Sequence, residues 1–226
     1  MTNSNYILSL ESSDETCGAA VSQNGIILGA VNYYKRNLHD KLLAGLSRNI
    51  MSDLNITFDE LSAVAVSAGP GSFTGLRISA AIAKGLCFDG NIRFISVSNS
   101  EAYAYAALKY AESLKLKSVV SLIKSNAKLI YAQEFKVSDF SSDEIQIITI
   151  EDTNKWDKSG TLFVGTGSVG LTQNYDVRDF TKSKVEFIAY LAEKKLQTND
   201  FADSGMYEPM YIQDFIPKQS SKVLNI

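Results

Sequence analysis

Three glycines and a proline fall within seven residues at Gly69-Pro70-Gly71-Ser72-Phe73-Thr74-Gly75, followed by Leu76-Arg77. An apolar run, Leu61 to Val66, precedes them and reads as a buried strand, while Ile78 to Phe88 is rich in helix formers. A glycine-rich strand-to-helix turn suits anion binding, because free amides at a helix start attract phosphate. The spacing excludes the P-loop. That loop needs Lys-Ser/Thr after its last glycine, and here Leu76-Arg77 stands there, with Gly69 and Gly75 one residue too far apart. Ser72 or Thr74 is placed to cap the helix.

Other residues of chemical interest are few. Glu11-Ser12-Ser13-Asp14 follows an apolar strand, so the serines could donate to phosphate and Glu11 or Asp14 could position hydrated magnesium; an ordinary polar turn is the competing reading. Gly165-Thr166-Gly167-Ser168-Val169-Gly170 spells a dinucleotide fingerprint, but polar, aperiodic sequence follows where a packed helix should open. His39 is the single histidine, so no imidazole pair exists, and His39 with Cys17 and Cys87 makes three soft ligands where structural zinc takes four. No G-x-S-x-G elbow accompanies it, which sets aside the usual serine hydrolases.

The elements that must position these residues follow from pattern. Tyr6 to Leu10, Cys17 to Ser22 and Ile26 to Tyr33 read as strands, with Asn24-Gly25 a hairpin turn. Leu38, Leu42, Leu43, Leu46 and Ile50 recur at helical spacing. Ile92 to Val97 is a further strand, and Asn99 to Leu114 a helix capped by Ser98 or Ser100 with Tyr103, Ala106, Ala107 and Tyr110 on its core stripe. A second block repeats the pattern: strands at Ser118 to Ile123, Leu129 to Phe135, Ile145 to Ile150 and Thr161 to Val164, then a helix from Val185 to Leu196. Two β-rich blocks, each followed by helices, predict a duplicated α/β architecture.

Composition narrows the function. The chain has 226 residues, 45% hydrophobic and 21% charged, as in soluble globular domains. No apolar stretch reaches membrane-span length, and Met1 to Asn5 lacks the features of a signal peptide, so no membrane is expected. Two cysteines fit a reducing cytoplasm. A net charge of -3 argues against a chain that grips RNA alone, and Lys115, Lys117, Lys124 and Lys128 read as a solvated face.

The glycine turn, together with Ile7-Leu8-Ser9-Leu10-Glu11-Ser12-Ser13, Cys17 to Val21, Leu38-His39-Asp40-Lys41-Leu42-Leu43 and Phe58-Asp59-Glu60-Leu61, resembles the TsaB (YeaZ) family. The likeness is specific from Tyr6 to about Ser100. It implies an actin-like, sugar-kinase-like (ASKHA) α/β fold with subdomains over 1–100 and 101–213 and a tail at 214–226. It also implies a subunit without a catalytic or metal site of its own. Such a subunit binds and activates TsaD, with the ATPase TsaE joining, to form N6-threonylcarbamoyladenosine at position 37 of ANN-decoding tRNAs. The tRNA is then held through the complex, and the chain alone forms a homodimer. No cofactor is expected on this chain alone, with ATP and magnesium at the assembled complex.

The partner interface implied is the glycine turn and flanking helices: Leu42, Leu46, Gly69, Pro70, Gly71, Ser72, Phe73, Thr74, Gly75, Arg77, Ser79, Ala80 and Ala83. Gly75, Ser79 and Ala83 lie four apart with Ala80 beside them, a small-residue row fit for a close helix seam or for packing on the chain's own sheet. A vestigial nucleotide cleft would use Glu11, Ser12, Ser13, Gly165 and Gly167. The sequence departs from the family at Glu11 (usually Asp), at Lys124-Ser125-Asn126 and at Met210-Tyr211-Ile212-Gln213. The rival readings are a small-molecule kinase or ATPase of the same fold and, with one histidine, more remotely a peptidase.

Overall fold

The computed structural model describes residues 5–35 and 37–210. Tyr211 to Gln213 and the tail at 214–226 lie outside the described residues. The chain opens with β1 (Tyr6–Glu11), β2 (Thr16–Gln23) and β3 (Ile26–Tyr34), an antiparallel meander turned at Asn24-Gly25, both of which have positive φ. Helix α1 (His39–Asp53) leads through a short 3-10 turn to β4 (Leu61–Gly69), helix α2 (Phe73–Leu86), β5 (Arg93–Ser98) and helix α3 (Asn99–Ser113). The first sheet has the order β3-β2-β1-β4-β5, with β4 parallel to both β1 and β5.

The second sheet repeats this plan in shortened form. Its strands β6 (Ser118–Lys124), β7 (Ile130–Lys136), β8 (Gln146–Ile148) and β9 (Thr161–Val164) stand in the order β8-β7-β6-β9. Neighbours β6, β7 and β8 run antiparallel, and β9 is parallel to β6. The order three-two-one-four thus occurs twice, as expected from the repeated β-rich blocks.

Period-two alternation decides what each face of the first sheet meets. Leu8, Leu10, Cys17, Ala19, Val21, Val64 and Val66 point to one side, where α1 and α2 cover them with Leu43, Ile50, Met51 and Ala83. Ile7, Ala63, Ala65, Ile95 and Val97 point to the other side. There the covering helices are α3 and α4 (Val185–Gln197). Helix α4 belongs in sequence to the second block, yet it packs across the first sheet. Small side chains on that side (Ser9, Ala20, Ala63, Ala65) let it sit close. One continuous core therefore joins the two sheets, running from Ile7 through Ala104 and Ile188 to Val119 and Leu162. Cys17 and Cys87 are buried and unpaired, and burial pushes each thiol up to about 11.

Among the described residues no helix is long and apolar enough to cross a membrane.

Candidate functional site

Helix α2 begins at Phe73, inside the glycine-rich string and five residues earlier than composition suggests. Ser72 is the cap, its hydroxyl accepting from the Gly75 amide at 3.3 Å. The glycines are there because two backbones interlock. The segment after β1, Glu11 to Ser13, runs against the turn so closely that a Cβ on Gly75 would sit 1.8 Å from the Ser12 carbonyl oxygen. A Cβ on Gly71 would sit 2.5 Å from that of Ser13. Gly69 has a φ of +106°, and its Cβ would meet the Met210 carbonyl at 2.9 Å.

Hydrogen bonds lock this contact. The Ser72 amide donates to the Ser13 carbonyl at 2.6 Å, and the Ser12 hydroxyl donates to the Gly75 carbonyl at 2.8 Å. The Gly69 amide donates to Asn99 Oδ1 at 2.9 Å, and Asn99 Nδ2 donates to the Ser13 hydroxyl. Both the Ser13 amide and its hydroxyl donate to Glu11 Oε1 at 2.6 Å. Ser12 and Ser13 are buried and their hydroxyls are spent inside the chain. This bears on the expectation that they could donate to a phosphate: the proton of each hydroxyl is donated within the chain, to the Gly75 carbonyl and to Glu11.

Gly165 and Gly167 have a similar explanation. Gly165 has a φ of +92°, and a Cβ there would come within 2.4 Å of the Leu122 carbonyl oxygen. A Cβ on Gly167 would meet Ile130 Cγ2 at 3.0 Å and the Leu122 carbonyl oxygen at 3.1 Å, a tight but less severe approach. A single 3-10 turn, Thr166–Ser168, follows β9, and no helix opens to receive a pyrophosphate.

A cleft of about 1450 Å³ opens between the two halves, with Ser13, Asn99 and Tyr103 on one side and Lys124, Asn126 and Thr166 on the other. Lys41, Lys124 and Lys182 face it together with Asp14, Glu15 and Asp40, so its walls carry no excess of positive charge to draw in a polyphosphate. Below lies Glu11, fully buried, with Oε2 making no hydrogen bond among the described residues. Burial raises its carboxyl above the ordinary value of 4.5, Asp14 adds to the rise, and the bonds from Ser13 pull the other way. Among the described residues the Tyr103 hydroxyl likewise has no partner at full hydrogen-bond geometry; burial first, then the nearby Glu11 and Asp14, hold it well above 10, with Ser183 pulling the other way. His39 is the first residue of α1, half-buried on the cleft wall; the cap position belongs to Leu38.

The implied interface residues divide by burial. Leu42, Leu46 and Phe73 are half-buried, and Gly71, Ser72, Thr74 and Arg77 are exposed, the Arg77 guanidinium lying 3.9 Å over the Phe73 ring. Gly69, Pro70, Gly75, Ser79, Ala80 and Ala83 are buried within the chain. The small-residue row of α2 is thus spent on its own interior, the second of its two possible uses, which corrects its placement on a docking face. What α2 shows to solvent is the adjacent row. Arg77, Ala81 and Gly85 are exposed between half-buried Ile78 and Ile82, and beyond the helix end Phe88 is 90% exposed. Beside it α1 presents half-buried Leu42, Gly45 and Leu46. Sequence reasoning missed this row, although Ile78, Ala81, Ile82 and Gly85 recur at helical spacing of three and four and signal it.

Comparison with known proteins agrees with this geometry. The family model described as "TsaD: tRNA N6-adenosine threonylcarbamoyltransferase" matches residues 31–165. The chain is 25% identical to the tRNA threonylcarbamoyladenosine biosynthesis protein TsaB of Haemophilus influenzae, over 92% of this chain and 93% of that one. It is 30% identical to the TsaB protein of Buchnera aphidicola subsp. Schizaphis graminum, over 73% and 80% respectively. The solved structure of YeaZ from Pseudomonas aeruginosa superposes with a TM-score of 0.77 at 20% identity, covering 92% of this chain and all of that one, which shows that the two share a fold. With the repeated sheet order, the interlocked glycine turn and these matches together, the chain belongs to the TsaB family, within the wider group gathered by the TsaD family model.

Proposed function

We propose that this chain serves the formation of threonylcarbamoyladenosine in tRNA as an accessory subunit, docking on a TsaD protein and holding it in its active form without a catalytic centre of its own. The observation that carries this reading is the end-to-end agreement with a protein named for that biosynthesis, 92% of one chain against 93% of the other. The geometry of the helices supports the mode of docking. The exposed row of α2 and the half-buried leucines of α1 form one apolar, small-residue face, on which a helix pair from a partner of related fold can pack closely.

Several features support an accessory role. One histidine cannot supply an imidazole pair for a metal, and the hydroxyls beside the cleft are committed internally. A net charge of -3 suits a subunit that meets tRNA through its complex, in the cytoplasm, with TsaE joining and ATP and magnesium handled at the assembly.

The test is co-purification with the TsaD protein of the same organism, with light scattering for stoichiometry. A one-to-one complex that restores tRNA modification, formed by a chain that turns over no ATP alone, is the expected result. Failure to form the complex, together with magnesium-dependent ATP hydrolysis by the isolated chain, would put the kinase-like alternative in its place.

A further inference from the structure

Asn99 opens α3, and an asparagine near a helix start ordinarily serves as its cap. Here Ser98 takes that place, its hydroxyl accepting from the Glu101 amide at 3.5 Å. The buried side-chain amide of Asn99 is spent on two other segments, 30 and 86 residues away in the chain. Its Oδ1 accepts from the Gly69 amide at 2.9 Å, and its Nδ2 donates to the Ser13 hydroxyl.

Both bonds bear on the turn that leads into α2. The ladder between β4 and β5 slips between Ser67 and Gly69, and the Gly69 amide finds its acceptor in a side chain instead. Pro70, next in line, has no amide proton. The Ser72 amide, just before α2, donates to the Ser13 carbonyl at 2.6 Å. The turn is thus held at both ends, by Asn99 at Gly69 and by Ser13 at Ser72, and Asn99 ties the two holders together. The direction of each bond is fixed as well. The Ser13 hydroxyl gives its proton to Glu11 Oε1 at 2.6 Å, so toward Asn99 it accepts, while the Gly69 N–H donates. A carboxamide, with one accepting and one donating end, matches that pair; an ionised carboxylate offers acceptors alone, and an alanine neither.

We propose that Asn99 is a positioning residue for partner docking: it sets the start of α2, and with it the angle at which the helix's exposed row meets a TsaD protein. This rests on the docking reading given above. Helix α2 has 14 residues and is about 21 Å long, so a tilt of about 3° at its start carries the Gly85 end through about 1 Å. A close-packed helix seam does not absorb such a shift without losing contacts. Asn99 and Ser13 also line the cleft, so the same bonds fasten the docking helix to the cleft wall.

Asn99→Ala in the full chain should keep the parent's circular dichroism spectrum and bind the TsaD protein of the same organism about tenfold more weakly by titration calorimetry. At saturating chain the rate of tRNA modification should return to the parent's, since the substitution moves docking and leaves the chemistry alone. Hydrogen exchange in the free variant should quicken over Gly69 to Leu76 and stay unchanged along β6 and β9. Trp156→Phe is the control: it removes a 2.7 Å bond to Glu134 in the second sheet and should leave docking as it was. Ser13→Ala, which removes the acceptor for Nδ2, carries the same comparison should Asn99→Ala fail to fold, with a loss of about threefold. Docking by Asn99→Ala equal to the parent's would overturn the proposal. Equal losses in Asn99→Ala and Trp156→Phe, or exchange quickened throughout the chain, would reduce Asn99 to a general stabiliser and overturn it too. A parent chain that forms no complex at all would instead remove the docking reading itself.

Discussion

Glu11 shows how a buried carboxyl beside a cleft can be given over to holding the backbone. Its Oε1 ties the Ser13 amide and hydroxyl, while burial, with Oε2 making no hydrogen bond among the described residues, disfavours the charged form. Between 4.5 and the raised value in the fold, the folded chain keeps a proton that the unfolded chain has released. Stability therefore falls as pH rises through that window. Glu11→Gln retains the acceptor for Ser13 and removes the titration. Urea denaturation at pH 5 and pH 8 should show the parent losing stability at the higher pH and the variant losing less. Gly75 carries a sharper demand. Gly75→Ala drives a methyl to 1.8 Å from a backbone oxygen that cannot swing away, and should cost about 3 kcal/mol or more in the same assay. His39→Ala, at a half-buried helix start with no cap bond to lose, should leave assembly and tRNA modification close to the parent's.

Helix α2 has two rows of small residues with opposite fates. Ala83 has no exposure and packs against the core of the first sheet, so Ala83→Arg buries a charge and should unfold the chain, by roughly 3–5 kcal/mol. Ala81 is two residues away on the exposed row, and Ala81→Arg should change stability by less than about 0.5 kcal/mol while abolishing TsaD binding. Thermal melts and pull-down of the two variants separate the helix's inward role from its outward one; equal binding by Ala81→Arg and parent would remove α2 from the docking face. The residue pattern of α2 could not separate the rows, because both have small side chains at helical spacing. The closeness of Ser12 to Gly75 decided which row turns inward.

At the scale of the whole molecule, one core spans both sheets, and α4 from the second half lies across the first sheet. The Thr16 hydroxyl donates to the Ser183 carbonyl at 2.7 Å, and Asn32 bonds both Glu186 and the Val185 amide, so the start of α4 is pinned to β2 and β3. The two halves should therefore unfold together. Trp156, the single tryptophan, bonds Glu134 in the second half and reports on that sheet alone. Its fluorescence and the far-ultraviolet circular dichroism should give coincident denaturation curves; two separated midpoints would show that the halves are independent.

Local and periodic information was enough for much of this protein. Apolar runs and alternation placed nine strands, spacing and composition four helices, Asn24-Gly25 set the hairpin, the cap of α3 was narrowed to Ser98 or Ser100 before the structure chose Ser98, and the Gly69 to Arg77 string carried the family, since each of these depends on neighbours in the chain. Only the tertiary structure decided that the Ser12 and Ser13 hydroxyls donate within the chain, that the Gly75–Ser79–Ala83 row faces inward, that α4 crosses to the first sheet, and that among the described residues β3 has no neighbour on one side. Those outcomes rest on contacts between segments 60 to 170 residues apart in round terms, such as Ser12 with Gly75 and Thr16 with Ser183. A side chain's type and spacing say which surfaces it can suit, and the distant partner that arrives first in space settles which of them it meets.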